Sequence, residues 1–212
     1  RGRVIAGDSP LDYLTEVTKL TGRMPPLPDW AGEGAIVSLQ GGKQRVSEIT
    51  WKLLDHGVAL PAIWVQDWCG RRVQELAPGV TLDRVAWNWD VDKLFYPDWD
   101  RWMEELEEKG VKMLTYINPF LVDVSGLEDA DKRWEHQYFQ QAKDAGFLVT
   151  KENGEPFFIN QGPGFDAVML DFWNPKAREF YKRIMRENML NHKHWGWMGD
   201  FGEWYPIPDL DM

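Results

Sequence analysis

The segment Trp197-Met198-Gly199-Asp200-Phe201-Gly202-Glu203-Trp204 holds two carboxylates three residues apart, set among glycines and aromatics. An acid at the end of a strand, flanked by residues without bulk, can be aimed into a cleft with little crowding. Breaking a glycosidic bond needs two such groups: one attacks the anomeric carbon or activates water, and the other protonates the leaving oxygen. Asp200 is the candidate for the first role and Glu203 for orienting a neighbour. The same spacing also fits an Asp that caps a turn and a Glu that is a solvated charge. Other polar residues fall just after apolar runs: Gln40, Gln66-Asp67 and Asn118. Asp67 there suits either a hydroxyl acceptor or a turn. Arg84-Val85-Ala86-Trp87-Asn88-Trp89 adds a planar cation and an indole N–H three residues apart, a pair suited to an anion with several acceptor oxygens.

Those residues need elements to present them. Ala35–Gln40, closed by Gly41-Gly42, and Lys112–Ile117, broken by Asn118-Pro119, read as short buried strands; Leu60–Val65, leading into Gln66-Asp67-Trp68, and Gly196–Asp200, ending at an acidic residue, read as two more strands. Between them lie amphipathic helical patterns: Val46, Ile49, Leu53 and Leu54; Trp99, Trp102, Met103 and Leu106 behind a cap at Asp98 or Asp100; and Ala177, Phe180, Tyr181, Ile184 and Met185 after Asn174-Pro175. Trp134, Tyr138, Ala142 and Ala145 predict one further helix, and Asn153-Gly154 a hairpin. A strand is also expected over Val168–Phe172, where Asp171 reads as a helix-cap partner rather than a catalyst. A helix is predicted to end at Gly22, followed by the proline-rich stretch to Trp30. The order predicts an α/β fold with a parallel sheet under helical cover. No Gly-x-Gly-x-x-Gly follows a strand, which speaks against a dinucleotide fold.

The composition narrows the partners. With 24 Lys+Arg against 34 Asp+Glu, the net charge of -10 disfavours nucleic acid. A single Cys excludes a disulfide framework or a cysteine-rich zinc site, and His192 with His194 lacks further ligands, so no metal and no cofactor is expected. No apolar run approaches the roughly 20 residues that cross a bilayer. The run Glu104-Glu105, Glu107-Glu108 reads as a solvated helix face. The chain carries 13 Trp. Core filling accounts for many of these, and flat aromatic faces also bind the apolar side of sugar rings, so a small-molecule sugar is the expected partner. Low cysteine fits a cytoplasmic location. The first residue is not Met, and half a barrel would leave open sheet edges; both lead to the expectation of a fragment.

Several motifs carry a family resemblance. Trp197 to Trp204 resembles the nucleophile segment of glycoside hydrolase family 31, the retaining α-glycosidases. Leu20 to Trp30 is similar to the strap by which that family enters its barrel, and Tyr116-Ile117-Asn118-Pro119 to its third-strand segment. Leu39-Gln40-Gly41-Gly42, Gln66-Asp67-Trp68, Arg84 to Trp89 and Gly199 to Glu203 resemble the subgroup that cleaves α-glycosides of sulfoquinovose, a 6-deoxy-6-sulfoglucose. The resemblance implies the N-terminal half of a (β/α)8 TIM barrel, truncated after about the fourth strand, with residues 1–30 as the strap and residues 31–212 as the first half of the catalytic domain. It implies that Asp200 is the nucleophile, that Arg84 and Trp87 contact the sulfonate, and that Gln40, Gln66, Asp67 and Glu203 contact the substrate. It places the acid/base beyond Met212 and thus implies a fragment inactive alone. The stretch from Trp68 to Arg84 is longer than the subgroup pattern, a departure that would displace Arg84. A neutral-sugar α-glucosidase or α-xylosidase, and a non-catalytic sugar-binding module, remain alternatives.

Overall fold

The computed structural model describes residues 2–159 and 166–204. The chain divides into two compact units, Arg1–Gly32 and Glu33–Met212. The first holds helix α1 (Pro10–Thr21). Ser9 caps it by accepting from the Asp12 N–H, proline occupies the first turn, and Gly22 ends it at φ 80°. A 3-10 turn at Asp29–Gly32 follows.

The second unit begins with β1 (Ile36–Leu39), α2 (Lys43–Asp55) and β2 (Ala62–Val65). An antiparallel hairpin, β3 (Arg71–Ala77) and β4 (Val80–Val85), comes next, then α3 (Trp99–Glu108) and β5 (Lys112–Ile117). From the end of β5 the chain makes an excursion through β6 (Phe120–Val122), α4 (Ala130–Arg133), α5 (Tyr138–Asp144), β7 (Phe158–Ile159) and β8 (Ala167–Met169). Helix α6 (Pro175–Asn188) returns it to β9 (Gly196–Gly199).

Strands β1, β2, β5 and β9 form one sheet in that order, all parallel. Each step crosses over through at least one helix, as parallel pairing requires. The excursion strands make a separate antiparallel sheet, β6-β8-β7. The strand expected over Val168–Phe172 is therefore real, but it lies outside the parallel sheet. The Asn153-Gly154 turn has its hairpin partners: Thr150 bridges Pro156, and the Phe157 N–H donates to the Val149 carbonyl at 2.9 Å.

Helix α3 shows how the sequence drives burial. Trp99, Trp102, Met103 and Leu106 fall on one stripe and are all buried. Its start differs from the expected side-chain cap: Asp98 is left-handed at φ 52°, its carbonyl accepts from Trp102, and Asp100 instead meets His192. The helix predicted from Trp134 to Ala145 starts later: α5 runs from Tyr138 to Asp144, and Trp134 lies just past the end of the separate short helix α4. Asp90 takes the His136 N–H at 2.8 Å and Asn88 takes the Tyr138 N–H at 3.0 Å, so side chains from a distant segment hold N–H groups at the break between the helices. Trp134 is consequently extended, and its indole donates to the Cys69 carbonyl at 3.0 Å.

The tryptophans are mostly core. Trp68, Trp89 and Trp102 are fully buried, and Trp87, Trp99 and Trp134 nearly so. Several indole N–H groups tie neighbouring elements by donating to backbone carbonyls: Trp64 to Thr115, Trp68 to Tyr116 and Trp89 to Phe120, at 2.7, 2.8 and 2.8 Å. Carbonyl acceptors satisfy these three indoles, whereas the buried Nε1 atoms of Trp99 and Trp102 have no hydrogen-bond partner among the described residues. Among the described residues, no helix is long and apolar enough to cross a membrane.

Candidate active site

Parallel pairing of β9 with β5 sets Gly199 beside Ile117. The next N–H, that of Asp200, continues the ladder by donating to the Ile117 carbonyl at 3.1 Å. The carboxylate thus leaves the sheet at its C-terminal end, where barrel active sites gather. Tyr116 donates its phenol O–H to Asp200 Oδ2 at 3.0 Å. Burial, aided by the Asp200 charge, pushes the Tyr116 phenol well above its ordinary range, so it stays protonated and acts as a donor.

Tyr116 is itself held. Asn118 Nδ2 donates to the phenol oxygen at 3.2 Å, and Asn118 Oδ1 accepts from the Phe120 N–H at 2.9 Å. Tyr181 of α6 donates to the Asn118 carbonyl at 2.9 Å. Among the described residues no group donates to Asp200 Oδ1, so one oxygen is anchored by a hydrogen bond and the other is not. An open cavity of about 310 Å³ lies over this constellation; Asn118, Tyr181, Asp200, Phe201 and Glu203 are among its walls. Glu203 is exposed there.

The next segment is joined to Asp200 through aromatic contacts. Phe201, left-handed at φ 54°, packs against Trp204 at 4.2 Å and Trp87 at 5.8 Å between ring centroids. Trp87 stacks on Phe120 at 5.8 Å. Trp87 and Trp89 both have positive φ, 50° and 27°, so the backbone after β4 turns sharply in a strained region. Cys69 lies beneath it, buried, with the backbones of Trp87 and Asn88 hydrogen-bonded to its sulfur; burial raises its thiol far above the ordinary range and leaves it a neutral packing group.

Arg84 sits on β4 beside Arg72 of β3, and its Nε donates to Gln74 Oε1 at 2.9 Å. The long stretch from Trp68 to Arg84 is taken up by the β3–β4 hairpin, with Pro78 and Gly79 between its strands. Gln40 and Gln66 meet at the ends of β1 and β2, Gln40 Nε2 donating to Gln66 Oε1 at 2.7 Å.

Asp67, expected to contact substrate, is buried among internal partners. It is 0% exposed, with Oδ1 accepting from Tyr96 at 2.5 Å and Oδ2 from the Gly41 N–H at 3.0 Å and Arg71 Nε at 2.9 Å. Both of its oxygens thus accept hydrogen bonds from within the protein. The role of Tyr116 was missed in the sequence; the signal was a hydroxyl residue one pair before the end of a strand that adjoins the acidic one. His192 and His194 do not converge: the first meets Asp100, and the second is buried against Thr115. Asp171 accepts from the Trp173 N–H at 3.0 Å ahead of α6, a local turn role. Among the described residues, no group of three or more His, Cys, Asp or Glu side chains converges on a metal position.

Residues 25–210 match the domain model described as "Glycosyl hydrolases family 31 TIM-barrel domain". The chain belongs to glycosyl hydrolase family 31. A sulfoquinovosidase of Escherichia coli (strain K12) is 30% identical over 204 residues, which is 96% of this chain and 28% of the relative. One from Agrobacterium fabrum is 32% identical over 203 residues, 95% of this chain and 28% of the relative. Among solved structures, a family 31 sulfoquinovosidase from E. rectale, in complex with the aza-sugar inhibitor IFGSQ, superposes with a TM-score of 0.81 at 35% identity over 94% of this chain and 27% of that one. The family 31 chain therefore spans under a third of the length of these relatives.

Proposed function

We propose that this chain carries the nucleophile-bearing part of a retaining α-glycoside hydrolase that acts on sulfoquinovosides. The observation that carries the reading is Asp200: a carboxylate at the C-terminal end of the outermost of four parallel strands, with one oxygen held by a protonated phenol. Fixing Oδ2 leaves Oδ1 to attack the anomeric carbon and form a glycosyl–enzyme ester, while the leaving oxygen takes its proton from a second carboxyl group. On this reading the present sheet is the first half of the barrel and that acid/base lies outside the chain. Residues 1–212 alone are then expected to be inactive, and measurable hydrolysis by them refutes the half-barrel assignment.

Similarity to two sulfoquinovosidases supports the choice of substrate. The chemistry agrees with it. A sulfonate is a permanent anion, and a chain of net charge -10 must meet it with a local cation. Arg84 offers a fixed charge in a planar fork, and Trp87 connects its segment to Phe201, the neighbour of Asp200. On this reading Gln40 and Gln66, hydrogen-bonded to each other, donate to ring hydroxyls or to the sulfonate.

The test compares nitrophenyl sulfoquinovoside and nitrophenyl glucoside on an enzyme that carries this chain and the acid/base. Asp200→Asn should abolish turnover of both while leaving folding intact. Arg84→Lys should cost the sulfonated substrate far more, because a point charge cannot reproduce the fork. Equal losses on both substrates would leave Arg84 a structural residue and favour a neutral-sugar glycosidase.

A further inference from the structure

Buried Asp67 gathers the three segments that the proposed function assigns to the sugar. On one side it takes the Gly41 N–H, and Tyr96, whose O–H it also accepts, receives the Gly42 N–H at 3.3 Å. Gly41 and Gly42 have φ of 115° and 88°, a backbone that side chains rarely adopt, so the turn after Gln40 is shaped by these two acceptors. On another side the chain neighbour is Gln66, the hydrogen-bond partner of Gln40. On the third, Asp67 Oδ2 holds both Nε and Nη2 of Arg71, at 2.9 and 2.8 Å.

Arg71 opens β3 and pairs with Val85 across the hairpin. Its Nη1 donates to Asp83 of β4 at 3.0 Å, and its guanidinium lies 5.2 Å from the centre of the Phe95 ring. One buried carboxylate and one arginine thus lock the base of the hairpin to the end of β2. Arg84 is the residue after Asp83, on the opposite face of the same strand. A tilt of the hairpin about its base moves Arg84 with it, and Arg133 Nη2, donating to the Arg71 carbonyl at 2.7 Å, holds the same base.

We propose that Asp67 is a positioning residue which, through Arg71, sets the angle of the β3–β4 hairpin and so the place of Arg84 in anion recognition. This rests on the assignment of Arg84 to the sulfonate. Asp67 does not touch substrate, because its carboxylate has no exposed surface. Its effect is one of preorganisation: the cation is already where the anion arrives, and no ordering is required on binding.

The experiment uses the catalytically complete enzyme, with enough of it to measure a neutral glucoside beside the sulfoquinovoside. Asp67→Asn keeps the shape but loses the charge that holds Arg71. It should lower the sulfonated-to-neutral ratio of kcat/KM about tenfold or more, chiefly through KM for the sulfonated substrate. Arg71→Lys, which keeps charge and loses the fork, should shift the ratio in the same direction and serves as the deciding variant if Asp67→Asn does not fold. Equal losses on both substrates in the folded variant overturn the proposal, since that is what a general structural role produces. Arg84→Lys run in parallel separates the two readings. If it is selective and the Asp67 and Arg71 variants are not, only the positioning role fails; if it is unselective, the sulfonate assignment itself fails and takes the proposal with it.

Discussion

His194 gives the most quantitative test of the packing that supports β9. It lies two residues before that strand, buried, with Nδ1 2.9 Å from Thr115 Oγ1 of β5. Its ring stands edge-on to Trp68 at 5.1 Å and tilted to Trp99 at 5.4 Å. Burial, with a smaller contribution from nearby His192, pushes its pKa down from 6.5 to about 3. The folded-state value is depressed, so the unfolded chain takes up a proton below about pH 6.5 that the native state refuses until about pH 3. Stability must therefore fall as the pH falls through that window. One proton corresponds to about 1.36 kcal/mol per pH unit, which integrates to about 2.5 kcal/mol between roughly pH 6 and pH 4. Carboxylates add their own slope, so the measurement is a difference. His194→Phe keeps the aromatic contact with Trp68 and removes the titration. It should be less stable than the parent near neutrality, having lost the bond to Thr115, and the gap should narrow by about 2.5 kcal/mol on moving from about pH 6 to pH 4. Urea unfolding followed by tryptophan fluorescence reads both. If the two proteins lose stability in parallel, His194 is not buried in its neutral form and the packing beneath β9 is wrong.

Two further substitutions probe the site and its support. Gly70 has φ 87°, and a Cβ there would lie 2.2 Å from Asp92 Oδ2, which pairs with Arg133 Nη2 at 2.7 Å. Gly70→Ala combines a left-handed alanine, about 1–2 kcal/mol, with displacement of a buried ion pair, about 3–5 kcal/mol when one partner is lost. Allowing for coupling between these, a loss of at least about 3 kcal/mol is expected, seen as a Tm drop of about 6–12 °C; an unchanged Tm would refute the close approach. Tyr116→Phe removes the donor to Asp200 Oδ2 and the acceptor for Asn118. In the complete enzyme kcat should fall about 10- to 100-fold with KM little changed, the range expected for one hydrogen bond to a charged group; steady-state kinetics in which only KM moved would argue that the phenol serves binding and not the nucleophile.

The parallel sheet was legible because three of its four strands end at a clear stop, Gly41-Gly42 after β1, Asn118-Pro119 after β5 and Asp200 after β9, while β2 is a short apolar run leading into Gln66-Asp67. The stripe of α3 was legible for the same reason, since four large apolar residues repeat at helical spacing. The β3–β4 hairpin was not. A buried strand face shows alternation, but here Arg72 and Gln74 are the buried residues of β3 while Val73 is exposed, so polarity and burial run opposite to the usual rule. The break between α4 and α5 was also hidden, because the acceptors at Asn88 and Asp90 lie more than forty residues away in sequence. Asp67 shows the same limit within the site. Its place at a strand end fits a cleft or an interior, and the choice was made by Tyr96 and Arg71, which no spacing rule connects to it.

The inverted hairpin face also bears on how an acidic chain assembles a cationic site. Three arginines stand on β3 and β4, and their hydrogen-bond and ion-pair partners include both charged and neutral groups. Arg71 meets two carboxylates, Asp67 and Asp83. Arg72, buried, meets Asp166 at 3.1 Å. Burial depresses the Arg72 pKa, a tendency the Asp166 charge opposes. The Nε bond of Arg84, by contrast, goes to the neutral amide oxygen of Gln74, which orients a guanidinium without cancelling its charge. Carboxylates thus hold Arg71 and Arg72, and an amide oxygen orients Nε of Arg84. Replacing Gln74 with Glu would set a charge against Arg84 at the same distance; on the proposed reading, that single added oxygen charge should weaken sulfonated substrate about tenfold or more while the hairpin remains folded.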